Sequence, residues 1–161
     1  MEEKKEESIT GRTKWDARFM NIAKEVAEWS TCLRRHVGAV IVKDKRIVAT
    51  GYNGAPAGVT TCADRGFCLR DKEKIASGTR QEICYATHAE QNALVQAAKL
   101  GISVDGATIY VTHQPCVICT KLLINAGIKT IVYGYTYPDE FSLKLLKEAG
   151  VNLLCLPYED K

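Results

Sequence analysis

His88-Ala89-Glu90-Gln91-Asn92-Ala93-Leu94 and Pro115-Cys116-Val117-Ile118-Cys119 are the two stretches on which the chain turns. Read together they give His-x-Glu, a gap, and Pro-Cys-x-x-Cys. One imidazole and two thiols supply three ligands of borderline-to-soft character, a set that suits zinc. Three protein ligands leave the fourth tetrahedral position to water, as in catalytic rather than closed structural sites. Water held there ionises near neutral pH. Glu90 follows His88 by two positions. Such residues do not share a helix face, but at a first helical turn both can border one pocket mouth, His88 toward the metal and Glu90 over the water. Cys116 and Cys119 suit a helix start, where free N–H groups and the helix dipole favour thiolate. Pro115 marks the turn into that helix. Each fragment alone has a plainer reading: Cys-x-x-Cys also occurs as a redox pair or half a structural zinc site, and His-x-Glu recurs by chance. The ordered combination, with each half opening an apolar helical pattern, makes the site specific.

Outward from this stretch the periodicity alternates between helix and strand. Residues 88–100 read as a helix with Ala89, Ala93, Leu94, Ala97 and Ala98 inward, ended by Gly101. Residues 107–112 read as a strand that delivers the chain to Pro115. Open α/β sheets place their sites there, where a strand's carboxyl end meets a helix N-terminus. Residues 116–126 form the next helix, 129–134 a strand, 139–149 a helix stopped by Gly150, and 151–155 a last strand. Upstream, Trp15, Phe19, Ile22, Ala23, Val26 and Trp29 recur at helical spacing. They predict a helix over about 13–31 with Thr13 as its cap and the two tryptophans as core or interface anchors. Residues 37–42 are a near-continuous apolar run that suits a buried strand, Lys43-Asp44-Lys45 a turn, and 46–51 the returning strand. A hairpin followed by β-α units predicts an α/β fold, a five-stranded mixed sheet with helices on both faces.

At 161 residues the chain fits a single domain, 1–161, with residues 1–11 as a frayed tail. Its net charge of +3 is too small to argue for a nucleic-acid surface. No apolar run approaches a membrane span, and the charged start lacks a secretory h-region, so a cytoplasmic protein is expected. Seven cysteines are an odd number, and with no export signal they read as metal ligands in a reducing compartment rather than as a disulfide framework.

Residues 52–87 are turn-rich at Tyr52-Asn53-Gly54-Ala55-Pro56-Ala57-Gly58 and then carry Cys62, Cys68 and Cys84. A loop of this length inside a compact domain is functional or stapled. Cys32, at the end of the first helix, completes a four-thiolate set for a second, structural zinc: Cys32, Cys62, Cys68 and Cys84. The plainer reading is four small buried side chains. Cys155 reads as core.

With these residues in view, the chain resembles the cytidine deaminase superfamily, and within it the deoxycytidylate (dCMP) deaminase branch. The resemblance covers about residues 12–155. It rests on 32–40 (Cys-Leu-Arg-Arg-His-Val-Gly-Ala-Val), 51–56 (Gly-Tyr-Asn-Gly-Ala-Pro), 88–93 and 115–119. It implies a three-layer α/β/α cytidine-deaminase-like fold and hydrolysis of dCMP to dUMP and ammonia, which supplies dUMP for thymidylate synthesis. It implies zinc on His88, Cys116 and Cys119, with Glu90 as the proton shuttle. Ala89 is carried over as a substrate contact, and Asn53 as the residue that hydrogen-bonds the sugar. Arg34 is carried over toward the 5′-phosphate, with its neighbour Arg35 left open, and Tyr137 reaches the phosphate too. Some relatives follow that tyrosine with an arginine; Pro138 stands there instead. The plainer readings are an Asn-Gly turn for Asn53 and a carboxylate-paired or solvated side chain for Arg34. The resemblance further implies a homo-oligomer, hexamer favoured, switched on by dCTP with Mg²⁺ and off by dTTP.

Two other readings compete. One is another zinc deaminase on the same fold, acting on tRNA adenosine, a free nucleoside or a base. The other is a zinc-stabilised binding module without catalysis, for which Glu90 would have no use.

Overall fold

The computed structural model describes residues 11–137 and 139–157. The expected tail lies outside these, except that Gly11 already begins helix α1, Gly11–Ala27. Thr13 therefore lies within that helix rather than at the position before it. The helix also stops four residues short of the predicted end. Beyond Ala27, Glu28, Trp29 and Ser30 turn on bonds to Lys24, Glu25, Val26 and Ala27 carbonyls. The Ser30 hydroxyl donates to Asn53 O at 2.7 Å, drawing the chain toward the loop that follows the hairpin.

Strands β1 (Gly38–Lys43) and β2 (Arg46–Tyr52) form the hairpin. Asp44 and Lys45 both have positive φ, as a two-residue type I′ turn requires. After the long loop come α4 (Ala89–Leu100), β3 (Thr108–His113), α5 (Val117–Asn125), β4 (Thr130–Tyr135), α6 (Glu140–Glu148) and β5 (Asn152–Cys155). The loop is less irregular than its composition suggested. It holds two single-turn helices, α2 (Cys62–Arg65) and α3 (Leu69–Lys72), and a 3₁₀ turn at Gln81–Ile83. They are too short for periodicity to reveal.

The five strands lie in the order β2-β1-β3-β4-β5. β1 is antiparallel to β2 and β3, whereas β3, β4 and β5 run parallel. This is the expected mixed sheet. Strand alternation sorts the core into two layers. Val40, Val42, Tyr110 and Val132 pack against Phe19, Met20, Ala23 and Val26 of α1. Ala39, Ile41, Ile109, Val111 and Ile131 face the other way, toward Ala93 and Ala97 of α4, Leu123 of α5 and Leu146 of α6. Two glycines set the closeness of these layers. A Cβ on Gly38 would lie 2.0 Å from Ala23 O, and one on Gly51 would lie 2.1 Å from Ala89 O. Gly51 thus lets α4 lie on β2 with its N-terminus at the sheet end.

Two expected core positions are not core, and Trp29, expected as a core or interface anchor, is not in the core of this chain. Cys155 is exposed, because β5 is an edge strand with a single neighbour. Ala98 is exposed on the outer face of α4. Trp29 is 60% exposed and meets only the edge of the Tyr52 ring, at 6.2 Å. Trp15 does pack on the α1 layer, stacked on Phe19 at 5.7 Å.

Candidate active site

His88 and Cys116 occupy equivalent places: each is the N-cap residue of a helix, α4 and α5 respectively. An N-cap side chain commonly caps its own helix. Cys116 makes no such bond, and at both helix starts another side chain holds the backbone. The His88 N–H donates to Gln91 Oε1 at 2.9 Å. Val117 N, in the first turn of α5, donates to Asp139 Oδ2 at 2.9 Å. The other oxygen of Asp139 accepts from Ser142 N at 2.9 Å and caps α6. One carboxylate thereby ties the starts of α5 and α6 together.

The result is a tight trio. His88 Nδ1 lies 3.5 Å from Cys116 Sγ and 3.3 Å from Cys119 Sγ. A tetrahedral zinc bonded at about 2.0 Å to nitrogen and about 2.3 Å to sulfur would hold such atoms about 3.5 Å apart. The donors thus fit zinc in kind and in spacing. Among the described residues this is the one group of three ligating side chains within 4.8 Å of one another. The hydrogen bond between the two thiols drives them apart in pKa. Cys116 is pushed down to about 4, first by its hydrogen bond with Cys119 and then by His88. Cys119 is driven up by the same bond and by burial, so it keeps the proton the pair shares. Glu90 is 5% exposed, and desolvation lifts its carboxyl to about 7. Such a group can both take and return a proton at neutral pH.

These residues open on a cavity of about 360 Å³, within the range of small-molecule sites. Glu90, His88 and Cys116 line its floor, and Asn53, Arg34, Arg35, Ala89 and Tyr137 line it as well. Every substrate contact expected from sequence therefore reaches one space. Their bonding is informative. Asn53 is 9% exposed; its Oδ1 accepts from Val37 N at 2.8 Å and its Nδ2 donates to Arg35 O at 2.7 Å. Arg34 Nε donates to Asp71 Oδ1 at 2.5 Å and its guanidinium also to Ile75 O at 2.7 Å. Arg35 stands over the Tyr137 ring at 6.0 Å. Pro138 lies outside the described residues.

Cys32, Cys62, Cys68 and Cys84 line the same cavity. Burial raises the Cys62 thiol, and the other three add to that shift. They surround one space, but no three of their sulfurs come within 4.8 Å of one another. The sequence reading overlooked Arg70, Gly78, His113 and Gln114, which also line the cavity. Arg70 donates to Ala76 O and Thr79 O at 3.0 and 2.7 Å, shaping the turn that sets Gly78 against the Tyr137 hydroxyl. Gln114 is 4% exposed, and its Oε1 accepts from Tyr137 N at 3.3 Å. Its position directly before Pro115-Cys116 was the signal that could have found it.

The family described as "Cytidine and deoxycytidylate deaminase zinc-binding region" matches residues 13–135. The chain belongs to this family. It is 44% identical over 144 residues to the ComE operon protein 2 of Bacillus subtilis, covering 88% of this chain and 71% of that one. It is 43% identical over 126 residues to the deoxycytidylate deaminase of Mycobacterium phage D29, covering 76% of this chain and 95% of the relative. The dCMP deaminase of cyanophage S-TIM5, solved with dCMP and dUMP, superposes with a TM-score of 0.75 at 32% identity, over 89% of this chain and 97% of that one. The chain spans less than half the length of the yeast deoxycytidylate deaminases it matches, 44% and 45%. The fold is therefore the cytidine-deaminase-like one, and the His88-Cys116-Cys119 trio, which could hold a metal ion, lies within the matched zinc-binding region.

Proposed function

We propose that this chain, as a single catalytic domain, hydrolyses dCMP to dUMP and ammonia. The observation that carries the reading is the His88-Cys116-Cys119 trio with buried Glu90 beside it, at the floor of a cavity with arginines in its walls. Zinc on the trio supplies Lewis acidity that brings water's ionisation near neutral pH. Glu90 takes one proton of that water and delivers it to N3 of the base; once the water's oxygen has bonded to C4, Glu90 takes its second proton and gives it to the amine, which leaves as ammonia when the C4–N bond breaks. The burial of Glu90 keeps bulk water from competing for these protons. Ala89, at the start of α4, offers a backbone contact to the base, and Asn53 a side-chain contact to the sugar. One arginine of the Arg34-Arg35 pair, with Tyr137, holds the 5′-phosphate.

The reading extends to a second zinc on Cys32, Cys62, Cys68 and Cys84, supported by their convergence on one space. It extends to supply of dUMP for thymidylate synthesis, and to control by dCTP, with Mg²⁺, and by dTTP, which needs a nucleotide site coupled to this one. A homo-oligomer, hexamer favoured, is supported by exposed apolar side chains on adjacent helices, Val95 on α4 and Ile118 and Leu122 on α5. No helix among the described residues is long and apolar enough to cross a membrane, in keeping with a cytoplasmic enzyme without a nucleic-acid partner.

The test is ammonia release from dCMP, dCTP, deoxycytidine and CMP in parallel, with zinc per chain counted. Preference for dCMP supports the reading. Preference for deoxycytidine assigns a nucleoside enzyme, and zinc binding with no turnover of any of the four contradicts catalysis. Two zinc ions per chain support the four-cysteine site; one removes it.

A further inference from the structure

We infer that Arg35, not Arg34, takes the substrate's 5′-phosphate, and that Arg34 is a positioning residue that fastens the cysteine-bearing loop over the site. The inference rests on the reading of the substrate as a 5′-nucleotide. The two arginines are adjacent in sequence and opposite in circumstance.

Arg34 is spoken for. Its Nε bonds Asp71 at 2.5 Å, a second guanidinium nitrogen bonds Ile75 O at 2.7 Å, and its backbone N–H donates to Cys32 Sγ at 3.4 Å. These bonds join the segment after Cys32 to α3 and the turn behind it, which begins at Cys68. The remaining nitrogen, Nη1, is buried and has no partner among the described residues. A phosphate approaching this guanidinium meets a charge already balanced by Asp71.

Arg35 is free to bind. It is exposed, lines the cavity, and has no carboxylate partner among the described residues. Its backbone is anchored from inside, since buried Asn53 donates to its carbonyl at 2.7 Å. Its guanidinium lies over Tyr137, 6.0 Å from the ring centroid. A guanidinium on an aromatic face keeps its N–H edge open, and that edge matches two phosphate oxygens. The Tyr137 hydroxyl is held against Gly78 on the same wall. Phosphate selectivity therefore belongs to the Arg35-Tyr137 stack, and Arg34 acts through the loop.

The experiment measures kcat/KM for dCMP and deoxycytidine, and calorimetric binding of both, in the wild type and in Arg35→Ala, Arg35→Lys, Arg34→Ala and Asp71→Asn. Arg35→Ala is expected to lower kcat/KM for dCMP by about 10- to 100-fold, chiefly through KM, the usual size for a lost charge-assisted hydrogen bond. It should narrow the preference for dCMP over deoxycytidine, and Arg35→Lys should restore part of it. Arg34→Ala and Asp71→Asn should resemble each other, lowering both substrates together and leaving the preference in place. Asp71→Asn keeps the loop nearly isosteric, so it reports even where Arg34→Ala fails to fold. A preference that collapses in Arg34→Ala and survives in Arg35→Ala overturns the assignment, as does one that rises in Asp71→Asn, where Arg34 is released. If the wild type binds dCMP without converting it, the binding ratios decide the assignment while the catalytic reading fails. If the wild type does not bind dCMP, both fail.

Discussion

Glu90 is the residue on which the proposed chemistry depends. Its carboxyl is 5% exposed, and that burial is unfavourable while it is charged. Glu90→Gln keeps the shape and removes the proton relay. Turnover of dCMP should fall by about 10²–10⁴-fold, while zinc content by atomic absorption stays at the wild-type level; equal activity would remove the shuttle role. Asn53 does two jobs at once. Its side chain satisfies Val37 N and Arg35 O, so Asn53→Ala leaves a buried donor unpaired and should cost about 1–3 kcal/mol in urea unfolding. A measured loss under about 0.5 kcal/mol would mean those bonds are replaced by water. The motif residues were legible in the sequence because their chemistry is unusual in kind: thiols and an imidazole at ligand spacing. Arg70 was not, because an arginine in a turn-rich loop shows nothing in sequence until folding brings it to the cavity, whereas Gln114 carried only its place beside Pro115-Cys116 as a signal. The opposite fates of Arg34 and Arg35 were hidden for a related reason. They depend on Asp71, which lies far along the chain and has no periodicity to betray it.

At the scale of elements, the site is a meeting of helix N-termini at one end of a sheet. Asp139 is its least obvious support, since one oxygen serves Val117 of α5 and the other Ser142 of α6. Asp139→Ala removes two caps, each worth about 1 kcal/mol. It should lower the melting temperature by several degrees, about 2–4 °C per kcal/mol for a chain of this size. It should also weaken zinc retention, because α5 carries both cysteine ligands. An unchanged melting temperature and unchanged zinc would leave Asp139 without this role. Gly51 sets the position of α4. A methyl group there would meet α4 backbone, which cannot rotate aside, so Gly51→Ala should destabilise by at least about 1–3 kcal/mol. A neutral result in thermal melting would show that α4 can shift. The order and type of the main elements were readable because each long segment has its own period, 2 or 3.6. The ends were less so. α1 stops early because Ser30 is drawn to Asn53 O, a contact between distant residues. The turns at Cys62–Arg65 and Leu69–Lys72 are too short for a helical period to repeat.

At the scale of the whole molecule, helix starts at one end of the sheet carry the His88-Cys116-Cys119 trio, and the long loop lines the cavity beside it. Two sets of cysteines share one cavity, so metal content and stability should be linked. A chelator that strips the trio should abolish turnover. If the four-cysteine site also holds zinc, the chelator should lower the melting temperature in a second step that zinc alone restores; a single step that leaves the melting temperature unchanged would count against that site. The mixed sheet was legible from the hairpin and β-α order. The exposure of Cys155 was not, since an edge strand is recognised only once the strand order is known. The most direct test of the central claim is to rebuild metal-free protein with counted zinc and follow dCMP, dUMP and ammonia together. Equimolar dUMP and ammonia, rising with zinc until the His88-Cys116-Cys119 site is filled and absent in Glu90→Gln, is the predicted result. A filled site that leaves dCMP unchanged would contradict it.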